Sequence, residues 1–506
     1  MFEVRYTDLA ARIGRLETPH GVVETPAFVP VVHPVRQTIS PQFLKDMGFG
    51  LVITNAYITL KQYGDEARRR GIHDIIGFDG VVMTDSGGYQ VLEYGSVEVE
   101  PATMAQFEKD IKSDIPIPLD KPTGYGLPYE RAKEYVDITL ENSKETLRVV
   151  GDTDAVWVGP VQGAEHFDLV EKSAMALDGM GFQFMALGSP VELMEAYEFA
   201  TLARMIARAK KAVPSKPIHL FGAGHPLTIP VAIALGCDTF DSASYMLYAK
   251  DDRYMHPGGT VRLGELAYLP CQCAVCVSYT ADELRALPKE RRMLEVAKHN
   301  LHVLKAEVDA TKQAIMDGRL WEYVMQKARA HPKLMEAVQL FASDEFGYLA
   351  EGTAAFKEKA IFFFDAIDQH RPEARRYRRL TSEFRSQKKT LMLFPEGEVH
   401  PFYSTRGFRE LVKKFPGAQL ATYNPFLGVI PAEISDVFPA SHNVTARVER
   451  DSSNYPTFVE SLKSFTANNN FDEIITVADA FMKQAMAEAK LNARVEDYSD
   501  HVIERL

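Results

Sequence analysis

The sequence predicts an α/β protein in which a (β/α)8 barrel of the TIM type is followed by small α+β domains. In roughly the first half of the chain, short apolar runs alternate with segments of helical periodicity, which is typical of parallel βα units. Almost every run ends in a polar or small residue, as expected where strand ends meet at one face of a barrel. About seven such units in this length favour a barrel over a doubly wound sheet. No GxGxxG or P-loop pattern follows any of them.

The predicted strands are short and rich in Val, Ile and Phe. They cover 51–57, 80–88, 115–120, 155–163, 182–189, 218–224 and 238–244. Apolar spacing near 3.6 residues predicts helices between them, among them 129–150 and 196–213. A long helical region is predicted over 281–341, and beyond it mixed patterns at 390–397 and 471–493 predict α+β structure.

These patterns predict three domains. The barrel domain would cover 1–342 and include a metal-binding segment at 261–302. A first C-terminal α+β domain would cover 343–425, and a second would cover 426–506.

The composition is that of a soluble globular protein. The chain has 506 residues, 46% of them hydrophobic, with 57 Lys and Arg against 69 Asp and Glu, a formal net charge of −12. Its first residues include acidic side chains and no apolar core of a signal peptide, and no run of about 18 apolar residues occurs. We therefore expect a cytoplasmic protein with no membrane segment.

The acidic net charge argues at first against a nucleic-acid partner, but the charge is uneven. Residues 371–414 contain 12 Lys and Arg and only 5 Asp and Glu, a local charge of +7. Such a segment suits a phosphate backbone, and the alternative is a solvated helix face. Its densest part supplies the candidate RNA-binding residues Arg375, Arg376, Arg378 and Arg379.

Three cysteines in the spacing C-x-C-x-x-C predict a metal site at Cys271, Cys273 and Cys276. A tetrahedral zinc site needs a fourth ligand, and His299, 23 residues after Cys276, is the candidate, with His302 as its competitor. Three thiolates and one imidazole suit one structural Zn²⁺ per chain, which would join a loop to a helix. Buried free thiols and a redox Cys273/Cys276 pair are the alternatives, and Cys237 is expected to be a packed small side chain.

Two aspartates follow predicted strands and could share one active site at the end of the barrel. In TDSGGYQVL, Asp85 ends a strand, the glycines allow close approach of a flat ligand, and Tyr89 lies nearby. Asp241 ends a later strand. Two carboxylates at one site can divide glycosidic chemistry between a nucleophile and a proton shuttle. Either aspartate could be the nucleophile on this reasoning, and each could instead cap the following helix.

At this point the sequence resembles the tRNA-guanine transglycosylases, in particular the archaeal members. VVMTDSGGYQVL, the VQG at 161–163, the FD at 240–241 and the cysteine motif with its distant histidine occur in the family's order over residues 1–340. The resemblance implies exchange of guanine at position 15 of the tRNA D-loop for 7-cyano-7-deazaguanine, a step toward archaeosine. It implies that Asp241 attacks C1′ of the ribose to form a covalent glycosyl ester, and that Asp85 is the general acid/base.

The resemblance also assigns residues that recognise the base. Asp120 would accept hydrogen bonds from N1–H and the 2-amino group of guanine, and Gln162 would contact its O6 side. Tyr89 would stack on the base and Gly188 would offer its backbone. After Gly188 the chain reads Ser189-Pro190, and because Pro190 has no N–H, Ser189 or another donor would recognise the nitrile.

The resemblance implies a homodimer with the zinc region near its interface. We recognise no counterpart of the RNA-binding module with which archaeal members usually finish, and we expect a separate polypeptide to supply it or the module to be absent. Two rival functions stay open: an archaeosine-synthase-like enzyme that modifies the nitrile base, and a non-catalytic tRNA-binding subunit of a heteromeric transglycosylase. Retention of Asp85, Asp120, Gln162 and Asp241 together argues against both.

Overall fold

The computed structural model describes residues 2–88, 99–446, 455–477 and 479–495. The chain divides into two compact units, Met1–Leu340 and Phe341–Leu506. Within the described residues, no helix is both long enough and apolar enough to cross a membrane.

The first unit begins with an antiparallel sheet of β1 (Phe2–Asp8), β2 (Ala11–Thr18) and β3 (Gly21–Thr25). Eight parallel strands follow among its described residues. They are β4 (Ala27–Pro30), β5 (Leu51–Asn55), β6 (Val81–Asp85), β7 (Ile115–Pro116), β8 (Val158–Val161), β9 (Phe184–Leu187), β10 (Ile218–Leu220) and β11 (Thr239–Ser242). A hairpin of β12 (Arg253–His256) and β13 (Gly259–Arg262) comes next.

The eight parallel strands pair in two sets, β4-β11-β10-β9-β8 and β5-β6-β7. Main-chain contacts link the sets on both sides. Val31 forms a parallel bridge with Ile53, and the N–H of Val156 donates to the carbonyl of Asp114 across 2.8 Å. Apolar side chains from both sets share one buried core, including those of Ile53 and Phe184. Because all the pairings are parallel, residues that follow these strands lie at a common edge.

Helices lie between the strands of the first unit and after the last of them. They are Pro41–Asp46, Ala56–Tyr63, Asp65–Arg70, Ile72–Ile76, Pro101–Asp110, Tyr129–Val150, Phe167–Gly179, Pro190–Glu195, Phe199–Ala212, Thr228–Ala234, Ser244–Lys250, Ala274–Ser278, Ala281–Ala286, Lys289–Met316, Leu320–Ala328 and Pro332–Gln339. The predicted helix over 129–150 has the observed bounds. The predicted helical region over 281–341 contains several helices, because Gly318 takes a positive φ and Pro332 starts a new helix.

Each predicted strand run contains one of the parallel strands, but the strands are shorter than the apolar runs. Of the run 115–120, only Ile115–Pro116 is a strand, since Pro116 and Pro118 have no N–H for a ladder. Strand β4 and the antiparallel β1–β3 sheet were not among the predicted strands.

The second unit is also mixed α/β. Its strands are β14 (Ile361–Phe363), β15 (Thr390–Pro395), β16 (Ala418–Asn424), β17 (Gly428–Pro431), β18 (Asn443–Thr445), β19 (Glu473–Thr476) and β20 (Arg494–Val495). Its helices are Pro372–Glu383, Arg406–Lys414, Tyr455–Asn469 and Ala480–Ala489. The sheet order is β17-β16-β15-β19-β20, with β14 paired to β18. Asn424 of β16 pairs with Gly428 of β17, so the predicted division at 425/426 falls in a turn between neighbouring strands.

Candidate active site

Asp241 lies in β11, the last of the eight parallel strands, and its side chain is almost fully buried. Its Oδ1 accepts a hydrogen bond from the N–H of Gly222 at 2.9 Å. The same oxygen lies 3.0 Å from Nε2 of His219, a fully buried side chain of β10. Asp241 is therefore held in one orientation by two groups from the neighbouring strand and the loop that follows it.

Asp85 ends β6 and is held by main-chain and side-chain donors. Asn55, at the end of β5, donates its amide to Oδ2 at 3.1 Å, and the N–H of Gly87 donates to Oδ1 at 3.2 Å. Burial and, to a smaller extent, the negative charge of Asp241 raise the pKa of Asp85 to about 6, against the lowering effect of these hydrogen bonds. A carboxyl group with this pKa can both give and take a proton near neutral pH.

Asp120 and Gln162 follow the next two strands and contact one another. Nε2 of Gln162 donates to Oδ2 of Asp120 at 2.6 Å. The amide oxygen of Gln162 accepts from the N–H of Thr123 at 3.0 Å. Because a main-chain N–H can only donate, this contact fixes the Gln162 amide with its NH2 group toward Asp120. Burial, together with the charge of Asp85, raises the pKa of Asp120 to about 7.

Two glycines leave room for this pair. A side chain at Gly88 would collide with the Asp120 carboxylate, and a side chain at Gly188 would collide with the Gln162 amide. The family resemblance assigned Gly188 to the site for its backbone, and its position against Gln162 adds a steric requirement for glycine.

Ser189 follows Gly188 and adopts a left-handed conformation with φ of +63°. Its hydroxyl donates to the Gln162 amide oxygen at 3.1 Å and accepts from the N–H of Gly124 at 3.1 Å. Ser189 is therefore part of the network that orients Gln162. Tyr89, the predicted stacking residue, lies outside the described residues.

The structure brings Asp85, Asp120, Gln162, Gly188, Ser189 and Asp241 to the carboxyl ends of the parallel strands. The sequence reasoning did not find Asn55, Thr123 or His219. Asn55 is the last residue of β5 and lies inside the predicted run 51–57, just as Asp85 ends β6 inside the run 80–88, so the rule that found Asp85 could also have found Asn55. His219 lies between two apolar residues of a buried strand, where one polar side chain gives no signal of its own.

The cysteine motif and His299 form one cluster. One side-chain atom from each of Cys271, Cys273, Cys276 and His299 lies within 4.8 Å of the others. Nδ1 of His299 faces the thiols, while its Nε2 donates to the carbonyl of Met255 at 2.8 Å. In the neutral imidazole this contact places the proton on Nε2 and leaves Nδ1 to bind a metal, so this donor set fits a metal ion. His302, the competing histidine, is not a member of the cluster.

A second group joins the β2–β3 turn, a short helix and the start of β7. Asp114, fully buried, accepts from Nδ1 of His20 at 2.5 Å and faces Nε2 of His73 at 3.0 Å. It also accepts from the N–H of Val82 at 2.8 Å. These are hydrogen-bond distances, and with β6 they tie four separate segments of the chain together. Although burial acts to raise the pKa of Asp114, hydrogen bonds from His73, Val82 and His20 hold it below its usual value.

Most of the candidate RNA-binding arginines serve the second unit itself. Arg375, Arg376 and Arg378 donate to main-chain carbonyls, with partners at Ala342, Ala354, Thr353, Phe426 and Gln369. Burial lowers the pKa of Arg378 to about 10. Arg379, by contrast, is exposed. A helical arginine that caps nearby carbonyls and one that faces solvent look the same in sequence.

The sequence model of the family described as queuine tRNA-ribosyltransferase matches residues 8–333. The chain belongs to this family of transferases, which confirms the resemblance read from its motifs.

The names of its relatives are more specific than the description of the family. It is 41% identical over 452 residues to the tRNA-guanine(15) transglycosylase of Aeropyrum pernix, a match that covers 87% of this chain and 86% of the relative. It is 36% identical over 498 residues to the protein of the same name from Methanosarcina barkeri, covering 98% of both chains. A Pyrococcus furiosus protein of that name is 40% identical over 405 residues, covering 79% of this chain and 68% of the relative.

Proposed function

We propose that this protein exchanges guanine at position 15 of the tRNA D-loop for 7-cyano-7-deazaguanine, through a covalent glycosyl ester on Asp241. The observation that carries the proposal is the pair of strand-end carboxylates in unlike surroundings. Asp241 is fixed by a main-chain N–H and an imidazole, while burial gives Asp85 a pKa of about 6. This division suits one carboxylate for attack and the other for proton transfer. The names of the relatives support the substrate.

The scaffold for this site is a closed barrel. The parallel strands form two sets, the bridge between Val31 and Ile53 links them on one side, and the hydrogen bond from Val156 to Asp114 links them on the other. Closing eight parallel strands in this way gives the (β/α)8 arrangement, in which catalytic residues collect at the strand carboxyl ends.

The exchange takes two displacements at C1′ of the ribose. In the first, the Asp241 carboxylate bonds to C1′, the bond from C1′ to N9 of guanine breaks, and protonated Asp85 gives its proton to the departing base. In the second, the Asp85 carboxylate takes the proton from N9 of the incoming base. That nitrogen bonds to C1′ and releases Asp241 as a carboxylate. Two inversions retain the original stereochemistry.

Asp120 and Gln162 select guanine among the bases. An ionised Asp120 accepts from N1–H and the 2-amino group, and the Gln162 NH2 group donates to O6, the orientation that Thr123 fixes. Adenine has an acceptor at N1 and a donor at position 6, so both residues would face the wrong partner. Ser189 lies against the same amide and supplies a hydroxyl where Pro190 has no N–H.

The Cys3His group would hold a structural zinc ion, one per chain. When bound, the metal would join the segment before Ala274–Ser278 to the helix Lys289–Met316. The direction of the His299 ring suits it, because the contact of Nε2 with the Met255 carbonyl turns Nδ1 toward the thiols. Metal analysis of the purified protein tests this proposal. About one zinc per chain in the parent protein, lost in Cys276→Ser, is the expected result.

The RNA contact would use the exposed cations of the basic segment. Arg379, Arg385 and Lys389 are exposed, whereas Arg376 donates to the carbonyls of Thr353 and Ala354. We expect Arg379→Glu with Arg385→Glu to weaken tRNA binding and to reduce its salt dependence. Arg376→Ala is the matched control, since it should lower thermal stability more than it changes that dependence.

The protein is proposed to act as a homodimer in the cytoplasm. Tyr268 and Val277, which flank the Cys3His group, are exposed apolar side chains that suit self-association. Light scattering after size exclusion tests the assembly, and a monomer at micromolar concentration would contradict it.

One assay separates the proposed exchange from its rivals. The purified chain is incubated with radiolabelled guanine and unmodified tRNA, with Asp241→Ala as the matched variant. Incorporation that disappears in the variant supports base exchange. Binding of tRNA without incorporation would favour a scaffold subunit, and conversion only of tRNA that already carries the nitrile base would favour a synthase. The assay is then repeated with either unlabelled 7-cyano-7-deazaguanine or unlabelled guanine as competitor of the radiolabelled guanine. The base that competes better is identified as the preferred incoming base.

A further inference from the structure

The two oxygens of the Asp241 carboxylate have different surroundings. Oδ1 accepts from the N–H of Gly222 at 2.9 Å and lies 3.0 Å from Nε2 of His219. Oδ2 has no hydrogen-bond partner among the described residues, and the 12% of the Asp241 side chain that is exposed leaves it open to a ligand. One oxygen is therefore held by the protein and the other is available to react.

His219 is itself fixed on its other side. Nδ1 of His219 lies 2.8 Å from the hydroxyl of Thr239, two residues before Asp241 on β11. The ring is fully buried and packs edge-on against Phe184 and Phe221, with centroid distances of 6.4 and 4.8 Å. Because Nε2 faces a carboxylate, Nε2 carries the proton, and Nδ1 accepts the hydroxyl proton of Thr239. The Asp241 carboxylate thereby selects the tautomer of His219, and Thr239 holds the other ring nitrogen in place.

We propose that His219, with Thr239 behind it, is a positioning residue that makes Oδ2 of Asp241 the nucleophile and Oδ1 the carbonyl oxygen of the glycosyl ester. This inference rests on the proposed function. As the C1′–Oδ2 bond forms, the bond to the base breaks and Oδ1 becomes a neutral carbonyl oxygen. In the second displacement the C1′–Oδ2 bond breaks and its electron pair returns to the carboxylate. The donors on Oδ1 then stabilise the negative charge that reappears.

The same two donors also fix the carboxylate plane. Without His219, Oδ1 keeps only the Gly222 N–H, and the carboxylate can rotate about its Cβ–Cγ bond. A small rotation moves Oδ2 away from C1′, and displacement of a reacting atom by about 1 Å costs roughly 10²-fold in rate. Binding of the base should be unaffected, because Asp120 and Gln162 make those contacts.

The test compares His219→Leu with His219→Gln in the guanine-incorporation assay. Nε2 of Gln can occupy the position of the imidazole Nε2 and donate to Oδ1, whereas Leu keeps only the bulk. We expect His219→Leu to lower kcat about 10²-fold with little change in KM for guanine, and His219→Gln to recover most of the loss. Thr239→Val should lower kcat by less than His219→Leu does. Thr239→Ser, which keeps the hydroxyl, is its control. Trapped covalent tRNA complex should accumulate more slowly in the Leu variant.

The outcomes separate this inference from the function it rests on. A parent protein that incorporates no guanine overturns both. A parent that incorporates guanine, together with a His219→Leu variant of parental kcat, overturns this inference alone. A Leu variant that loses thermal stability and is not rescued by Gln would show a packing role only, which also contradicts the proposal.

Discussion

The pKa of Asp120 predicts how the affinity for guanine depends on pH. Burial and the charge of Asp85 raise the pKa of Asp120 to about 7, while guanine needs an ionised carboxylate to accept its N1–H and 2-amino protons. The pKa of Asp120 is raised in the free protein. The ionised form of Asp120, which accepts the guanine protons, therefore becomes less populated as the pH falls through neutrality. About 91% of Asp120 is ionised at pH 8 and about 9% at pH 6, so the apparent Kd should be about tenfold weaker at pH 6.

Equilibrium dialysis with radiolabelled guanine at constant ionic strength measures this dependence. Asp85→Asn is the informative variant, because it removes the charge of Asp85 and leaves Asp120 buried. The midpoint should therefore move to lower pH but stay above that of an ordinary aspartate. The same variant also separates Asp120 from the titration of Asp85 itself, whose pKa of about 6 would otherwise contribute to the curve. Asp120→Asn should lose binding and the pH step together.

Two results would refute this reasoning. An affinity for guanine that is flat between pH 6 and pH 8 would mean that Asp120 does not titrate there or does not contact the base. A midpoint that Asp85→Asn leaves unchanged would mean that the charge of Asp85 is not felt at Asp120.

Three further outcomes are expected. Gly188→Ala should raise KM for guanine about tenfold or more, because a methyl group there displaces the Gln162 amide. Gly179→Ala, whose added methyl group meets no neighbouring atom, is the control. Equal kinetics of the two variants would contradict the steric argument. Asp114→Asn should lower the free energy of unfolding by about 1–3 kcal/mol near pH 7, since an amide cannot accept all the donors that the carboxylate holds. Because the folded pKa of Asp114 is depressed, its stabilisation is present above the unfolded value and disappears as the pH falls through the folded value, so denaturant curves of parent and variant should converge in acid. Chelation of metal should lower the thermal midpoint of the parent, and a Cys276→Ser variant should show no further response; an unchanged parent midpoint would argue against a structural metal.

The sequence predicted this site to the extent that its residues follow strands. Asp85 and Asp241 end apolar runs, and parallel strands bring such ends together without any further information. His219 was not predicted. In sequence, one polar residue within a buried strand cannot be distinguished from a core histidine whose hydrogen bonds serve packing alone. The sequence could not separate exposed arginines of the basic segment from those that donate to main-chain carbonyls. Whether an arginine such as Arg376 faces solvent or a carbonyl depends on which loop packs over its helix. Strand lengths were overestimated where proline interrupts the ladder, as after Ile115.

The left-handed backbone at Ser189 restricts how this protein can change. Most L-residues pay about 1–2 kcal/mol to adopt that conformation, and glycine, which does not, lacks the hydroxyl that contacts Gln162. Asparagine and aspartate tolerate the conformation but would carry a larger polar group to the place where the Thr123 hydroxyl and the Gly124 N–H now contact the Ser189 hydroxyl. A replacement for Ser189 must both tolerate this conformation and keep the hydroxyl, so most replacements cost either folding free energy or the contact that orients the Gln162 amide. The geometry of the main chain at Ser189 therefore limits which side chains can hold the amide that, under the proposed function, reads the base.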